Sequence, residues 1–248
     1  MSIKTPEELR SMQAAGRVVR LMLEAMKSAV RPGITTLELD EIGAATMHEH
    51  GARSGPTMVY KFPGVSCISV NDEIVHGIPG ARKLRSGDLL KLDVTIEKDG
   101  FMADAAESLI VGNSSRAISA QLIDCARRAF DRAMSAARAG NRITAIGAAV
   151  EAEVSKSGFY VIRELCGHGI GRTIHERPNV PNYEDPHSHG LLTEGLVITV
   201  EPIIASRSGN AYLAKDGWTM RTTDHGLAAH HEHTLMITKG EPLLLTAA

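Results

Sequence analysis

The sequence is poor in cysteine, has no excess of positive charge and contains no long apolar run. Its three cysteines form no disulfide framework, which favours a reducing compartment. With 27 basic and 29 acidic residues, it has no cationic field of the kind that a dedicated nucleic-acid binder presents. No window approaches the roughly 20 apolar residues of a membrane span, and the first residues are charged, unlike a signal peptide. These absences predict a cytoplasmic protein without nucleic-acid recognition or membrane insertion.

The same order of predicted elements occurs twice along the chain. A long and a shorter amphipathic helix are predicted before Gly51. Another such pair is predicted later, with the long helix from about Ser115 to Gly140 and the shorter one ending at Gly158. Gly33 and Gly51, which bound the second helix of the first pair, have the same spacing as Gly140 and Gly158. Alternating apolar segments follow each pair and predict strands.

We therefore predict a single, internally duplicated α+β domain over residues 1–248. Its pseudo-symmetric halves, about 1–112 and 113–248, would each contain two helices and then antiparallel strands, with the helices packed on one face of the sheet. A chain of this length can bury roughly 70–75% of its unfolded surface, so the core needs no disulfide or structural metal.

Two aspartates lie on opposite arms of a predicted β-hairpin around Lys98-Asp99-Gly100. Asp93 is in "LKLDVTI" and Asp104 is in "FMADAAE". A turn at Lys98-Asp99 would pair Asp93 directly with Asp104, whereas a turn at Asp99-Gly100 would pair Asp104 with Thr95 and make Asp93 its diagonal neighbour. Either register brings two like charges together on one face, which costs stability unless a cation lies between them.

The second half supplies further candidate metal ligands. Glu201 ends the apolar strand "VITVEP", and Glu232 begins "EHTLMIT". Between the two halves, "CGHGIGRTIH" brings His168 and His175 near one another in a segment too rich in glycine for a helix. Four carboxylates with the imidazole of His168 suit a pair of divalent ions such as Mn²⁺, Fe²⁺, Co²⁺ or Zn²⁺, which can activate a bridging hydroxide.

These motifs resemble the type I methionine aminopeptidases, which have the pita-bread metallopeptidase fold. The resemblance extends from about residue 3 to residue 238. It depends on "SCISVNDEIVHGIP", "LDVTIEKDGF", "CGHGIGRTIHERP", "VITVEPII", "KDGWTMRTTD" and "EHTLMIT", which occur in this order and at compatible spacing. It implies an enzyme that removes the N-terminal methionine from nascent proteins and peptides with a small second residue. It also implies that the chain is monomeric and works on peptide and nascent-protein N-termini, with the ribosome as a candidate partner.

The resemblance also implies roles for individual residues. Two divalent metal ions (Co, Mn, Fe or Zn) would be held by Asp93, Asp104, His168, Glu201 and Glu232, the same residues that the spacing indicates. Glu201 would also transfer a proton while the bridging water attacks the first peptide bond. His175 would steady the scissile carbonyl or the oxyanion, and His76 would contact the substrate near the scissile bond.

The expected pocket for the methionine side chain departs from the family pattern. Cys67 and Trp218 match the family's pocket residues. However, Ile174 replaces an aromatic residue, and Val59 and Phe62 stand where tyrosine is common. We predict that hydrolysis is kept and that selectivity for methionine is relaxed.

Two alternative functions fit the same sequence less well. An X-Pro aminopeptidase or prolidase of this fold would share the metal ligands but typically has an additional N-terminal domain. A non-catalytic pita-bread binding module would generally have lost ligands that this chain keeps. Other histidines are interpreted as solvated, namely those of "HEH" at 48–50 and of "HHEH" at 230–233, and Cys166 is interpreted as a buried cysteine rather than a nucleophile.

Overall fold

The computed structural model describes residues 1–113 and 117–247. These residues form five α-helices: α1 (Pro6–Ala29), α2 (Thr36–Glu49), α3 (Gly55–Tyr60), α4 (Ala117–Ala136) and α5 (Ile143–Lys156). The strands are β1 (Arg53–Ser54), β2 (Cys67–Val70), β3 (Glu73–Val75), β4 (Leu89–Lys98), β5 (Phe101–Ile110), β6 (Tyr160–Val161), β7 (Cys166–Gly169), β8 (Glu176–Pro181), β9 (Val197–Val200), β10 (Ile203–Ala205), β11 (Ala211–Leu213), β12 (Met220–Thr222), β13 (Ala228–His230), β14 (Glu232–Met236) and β15 (Leu243–Leu244).

One large antiparallel sheet organises the domain. Its strands follow the order β1-β4-β5-β14-β9-β7-β8, with β2 added to β4 and β15 added to β14. The central pair β5–β14 joins the first half of the chain to the second. Two small antiparallel sheets, β13-β10-β6 and β11-β12-β3, lie beside the large one. The predicted α+β class is confirmed.

Successive side chains of β4 point alternately to the sheet face that the helices cover and to the opposite face. Leu90, Leu92 and Val94 are fully buried in a cluster with apolar residues of α1. Asp93, between them, points to the other face because successive strand residues alternate. The helices therefore cover one face, and polar groups collect on the other.

The second helix pair covers the same sheet farther along. Apolar residues of α4 and α5 form a second core cluster with Ile198, Val200 and Leu235, which lie on β9 and β14. Each helix pair is thus followed by strands of the large sheet, which agrees with the predicted order of elements. That the two halves arose by duplication stays a prediction.

Helix α4 ends at Ala136, earlier than the predicted end at Gly140. Beyond it, the backbone N–H groups of Ala139 and Gly140 donate to the carbonyls of Thr238 and Leu192, so these residues bond to distant segments instead of extending the helix. The predicted start at Ser115 lies outside the described residues.

None of the helices in residues 1–113 and 117–247 is long and apolar enough to cross a membrane.

Candidate metal centre

The β4–β5 hairpin has the second of the two predicted registers. Lys98 pairs with Phe101 across a turn at Asp99-Gly100, and Asp104 pairs with Thr95. Asp93, two residues before Thr95, is therefore the diagonal neighbour of Asp104 on the same face. Direct pairing of the two aspartates does not occur, because the left-handed backbone of the turn falls at Asp99 and Gly100.

The glutamates reach the same place from the neighbouring strands. Glu232 begins β14 and pairs with Ala106, which also faces Asp93 on β4, so these side chains share one face. Glu201 directly follows β9, whose last residue pairs with the residue after Glu232. Four carboxylates therefore converge on the face opposite the helices.

His168 enters the group from β7. Its backbone N–H donates to the hydroxyl of Thr199, and this hydroxyl donates to Oε1 of Glu201. The Nδ1 atom of His168 is 2.9 Å from the carbonyl of Gly169, which favours the tautomer that carries its proton on Nδ1. Nε2 is then a free electron-pair donor, 3.7 Å from Oε1 of Glu201.

The two glycines that flank His168 allow close packing of backbones. A Cβ at Gly167 would lie 2.6 Å from the carbonyl oxygen of Thr199, and one at Gly169 would lie 2.3 Å from that of Arg177. Only a residue without a side chain fits between these strands. Cys166–Gly169 is strand β7, in which Gly167 and Gly169 place His168 against β9, and residues 171–175 form the bend that leads to β8.

The electrostatics of the group favour a bound cation. Desolvation raises the pKa of Asp104 to about 7. Desolvation, reinforced by neighbouring carboxylates, raises the pKa values of Asp93, Glu201 and Glu232 well above their usual range. Desolvation lowers the pKa of His168 to about 4, with a contribution from His175, so its imidazole is neutral at physiological pH. Without a cation, this arrangement is costly.

Two buried carboxylate oxygens without hydrogen-bond partners in the described part of the chain indicate that these residues are suited to hold metal ions. Oδ1 of Asp104 and Oε1 of Glu232 are buried and have no hydrogen-bond partner among the described residues. Asp104, His168 and Glu232 each offer a ligand atom, and these atoms lie within 4.8 Å of one another. Carboxylate oxygens and a neutral imidazole are ordinary ligands of divalent transition ions.

These side chains form the floor of a cavity of about 410 Å³. Most of the predicted substrate-binding residues line it, namely Cys67, Phe62, Trp218, Ile174, His76 and His175. Phe62 and Trp218 meet edge to face, with ring centroids 5.2 Å apart. The cavity thus has an apolar wall beside its charged floor.

His76 and His175 lie on the wall above the floor. The ring of His175 is 4.3 Å from that of His168, centroid to centroid. Desolvation, followed by the charge of His175, lowers the pKa of His76 to about 4. Desolvation also lowers the pKa of His175, so both imidazoles are mostly neutral near pH 7.

Val59 was predicted to line the cavity, but it is not among the described residues that do so. The short helix α3 turns this side chain outward, where it is 38% exposed. The next residue, Tyr60, lines the cavity instead and bonds through its hydroxyl to Nδ1 of His175.

The interpretation of "HHEH" as solvated is wrong for its first histidine. His230 is 2% exposed, lines the cavity, and lies with Nε2 3.3 Å from Oε2 of Glu232. His231 and His233 are partly buried against Phe130 instead. The "HEH" histidines at the end of α2 are exposed, as predicted.

Cys166 is half-buried on the cavity wall rather than buried. Burial, followed by the charge of Glu201, raises the pKa of its thiol, which disfavours the reactive thiolate.

Tyr60 and His230 could have been identified from the sequence only in part. A period of two along an extended chain brings residues 230 and 232 to the same side, which would have indicated His230. No comparable signal existed for Tyr60, since its direction depends on the rotation of α3.

Comparison with known proteins identifies the family of this chain. The model of metallopeptidase family M24 matches residues 10–239. The chain is 44% identical to "Methionine aminopeptidase 2" of Bacillus subtilis, over 99% of each chain. The crystal structure of a methionine aminopeptidase from Thermotoga maritima superimposes with a TM-score of 0.95 at 31% identity, covering 100% of both chains.

A more distant structure shares the fold. A prolidase from Pyrococcus furiosus superimposes with a TM-score of 0.79 at 22% identity, over 99% of this chain but 65% of the prolidase. This likeness shows the fold alone. The full-length matches show more: the chain has the pita-bread fold and belongs to metallopeptidase family M24.

Proposed function

We propose that this metallopeptidase removes the N-terminal methionine from nascent proteins and from peptides with a small second residue. The observation that carries the proposal is the convergence of four carboxylates and His168 on the floor of a cavity with an apolar wall. Similarity over the full length to proteins named methionine aminopeptidase supports it. The chain is 22% identical to the prolidase but 44% identical to the Bacillus subtilis protein, which makes an X-Pro peptidase the weaker alternative.

Two divalent ions are the cofactors in this proposal. Their ligands are Asp93, Asp104, His168, Glu201 and Glu232. The mixed carboxylate and imidazole donors suit Mn²⁺, Fe²⁺, Co²⁺ or Zn²⁺. When bound, such ions acidify a water molecule and polarise a carbonyl group.

The chain's own residues bind and orient the substrate. The carboxylate of Glu201 accepts a proton from the attacking water and returns it to the leaving amine. Burial raises the pKa of this carboxyl group, which makes its carboxylate a stronger base. His175 donates a hydrogen bond to the scissile carbonyl, and His76 contacts the substrate beside it. Trp218 and Phe62 form the apolar wall against the methionine side chain, together with Cys67 and Ile174.

The proposal is tested by release of the first residue from Met-Ala-Ser, Leu-Ala-Ser and Ala-Pro-Ala after chelation and re-addition of Co²⁺, Mn²⁺, Fe²⁺ or Zn²⁺. We expect metal-restored cleavage of the Met peptide, with substantial cleavage of the Leu peptide because Ile174 relaxes the pocket. Strict preference for Met would contradict relaxed selectivity alone. Cleavage of the X-Pro peptide only would favour the prolidase-like alternative, and no cleavage with any ion would favour a binding module.

Replacement of His175 tests its assigned role. We expect His175→Ala to lower kcat/KM for the Met peptide about 10²–10³-fold, as loss of one oxyanion donor does. Tyr60→Phe should cost less, because it removes only the hydroxyl that orients His175. Steady-state kinetics with Tyr212→Phe, an exposed tyrosine on β11, provide the matched control. Unchanged kcat/KM for His175→Ala would exclude the role.

The cellular setting follows from the same proposal. A protein that trims nascent chains works in the cytoplasm, near or at the ribosome, and we propose that it does so as a monomer. Sucrose-gradient sedimentation with ribosomes and analytical ultracentrifugation of the free protein measure these two properties.

A further inference from the structure

His230 is a buried imidazole for which the sequence offered no role. Neither Nδ1 nor Nε2 has a hydrogen-bond partner among the described residues, although both atoms are shielded from solvent. A buried polar group without a partner costs free energy, so such a group in a folded protein indicates a missing ligand.

The backbone around His230 is fixed in a way that aims this ring. Its N–H donates to the hydroxyl of Ser108, and the same hydroxyl donates to its carbonyl, both at 2.8 Å. In β13, His230 also pairs with Ile203 of β10. The imidazole therefore projects from a rigid strand into the cavity beside Glu201 and Glu232.

The distances around Nε2 are those of ligands that share an ion. Two atoms bound to one ion at about 2.0–2.2 Å lie about 3–4 Å apart. Nε2 of His230 is 3.3 Å from Oε2 of Glu232 and 3.9 Å from Oε2 of Glu201. His168 approaches the other oxygen of Glu201, Oε1. The imidazoles of His168 and His230 thus approach different oxygens of the Glu201 carboxylate.

We propose that His230 is an additional metal ligand, which binds through Nε2 the ion that Glu201 and Glu232 hold. One group of possible ligand atoms, all within 4.8 Å of one another, comes from Glu201, His230 and Glu232. A second such group comes from Asp104, His168 and Glu232, so the two groups share Glu232. This inference rests on the proposed metal centre. It brings a second imidazole to the pair of ions, which favours Zn²⁺ or Co²⁺ over Mn²⁺.

The test compares His230→Gln with His231→Gln, the same substitution at the adjacent histidine, whose ring packs against Phe130. Chelated protein is titrated with Co²⁺ alone, followed by calorimetry and visible absorption. We expect His230→Gln to weaken one of two binding steps at least about 10-fold, since even groups that only orient a ligand cost 10–100-fold. It should also change the Co²⁺ absorption, whereas His231→Gln should match the wild type.

A second measurement does not depend on how well a variant folds. In the Zn²⁺-loaded wild-type protein, X-ray absorption is expected to show an average of one imidazole per ion. One imidazole per two ions, or binding constants and spectra unchanged in His230→Gln, would overturn the assignment of His230 while leaving the metal centre intact. Wild-type protein that binds no Co²⁺ and cleaves no peptide would overturn the metal centre itself.

Discussion

Asp104→Asn is expected to abolish peptide hydrolysis and, at the same time, to make the metal-free protein more stable. The change removes a proposed metal ligand, so kcat/KM should fall by more than about 100-fold, the upper end of what loss of a ligand-orienting group costs. It also removes a buried carboxylate from a group of four. Since desolvation raises the pKa of Asp104 to about 7, ionising it in the folded, metal-free protein is unfavourable.

The pH dependence of this stabilisation has a definite sign. A carboxyl group with a raised folded-state pKa contributes stability below its unfolded pKa, and that contribution is lost as the pH rises through the folded value. The advantage of the variant should therefore grow between about pH 4 and pH 7 and reach a few kcal/mol. Denaturant unfolding in a chelator at pH 5 and pH 8 measures it.

Asp99→Asn is the matched control for this experiment. Asp99 lies in the turn of the same hairpin, its side chain is 75% exposed, and its positive φ of 51° suits asparagine. It should change neither activity nor stability appreciably. An Asp104→Asn protein that keeps its activity, or that is less stable than wild type at pH 8 without metal, would contradict the proposed role.

Chelation of the wild-type protein is the second change with a large expected effect. It should reduce hydrolysis to background, and re-addition of Co²⁺ or Zn²⁺ should restore both activity and stability. An ion at 100 times its dissociation constant stabilises the folded state by about 2.7 kcal/mol, because it binds the folded protein only. Differential scanning fluorimetry with and without the ion measures this increase in Tm.

The increase in Tm should become larger as the pH rises. Protons compete with the ion for the carboxylates of Asp93, Asp104, Glu201 and Glu232, whose pKa values are all raised. His168 does not compete above about pH 4, where burial keeps it neutral. An increase that is the same at pH 5 and pH 8 would mean that the ion binds elsewhere. Mg²⁺, which binds all-oxygen sites and keeps its waters, serves as the comparison ion.

Much of the metal centre could be predicted because it depends on local pattern. Asp93 and Asp104 interrupt apolar strands on two arms of one hairpin, and both of the registers that the turn residues favour bring them together on one face. The choice between registers was not available from the pattern, since Lys98-Asp99 and Asp99-Gly100 were both acceptable turns. In the folded chain the turn lies at Asp99-Gly100.

The incorrect predictions for Val59 and His230 have a common physical cause, because tertiary packing decides the environment of each. Val59 and Tyr60 are adjacent in a short helix, and only the packing of that helix decides which of them faces the cavity. The polar run that contains His230 predicts exposure to solvent. His230 is buried because β13 pairs with β10 while its neighbour His231 turns toward α4.

The sequence by itself determined the α+β class, the order of elements and the candidate metal ligands. These depend on hydrophobic period, turn residues and charged side chains within apolar strands, all of which are local. Tertiary structure alone decided that β5 and β14 meet at the centre of the sheet, which brings Asp104 and Glu232 from distant parts of the chain onto one face. It also decided that His230 joins them. Contacts between residues so far apart along the chain produce no periodic pattern in the sequence, because they arise only when separate elements pack.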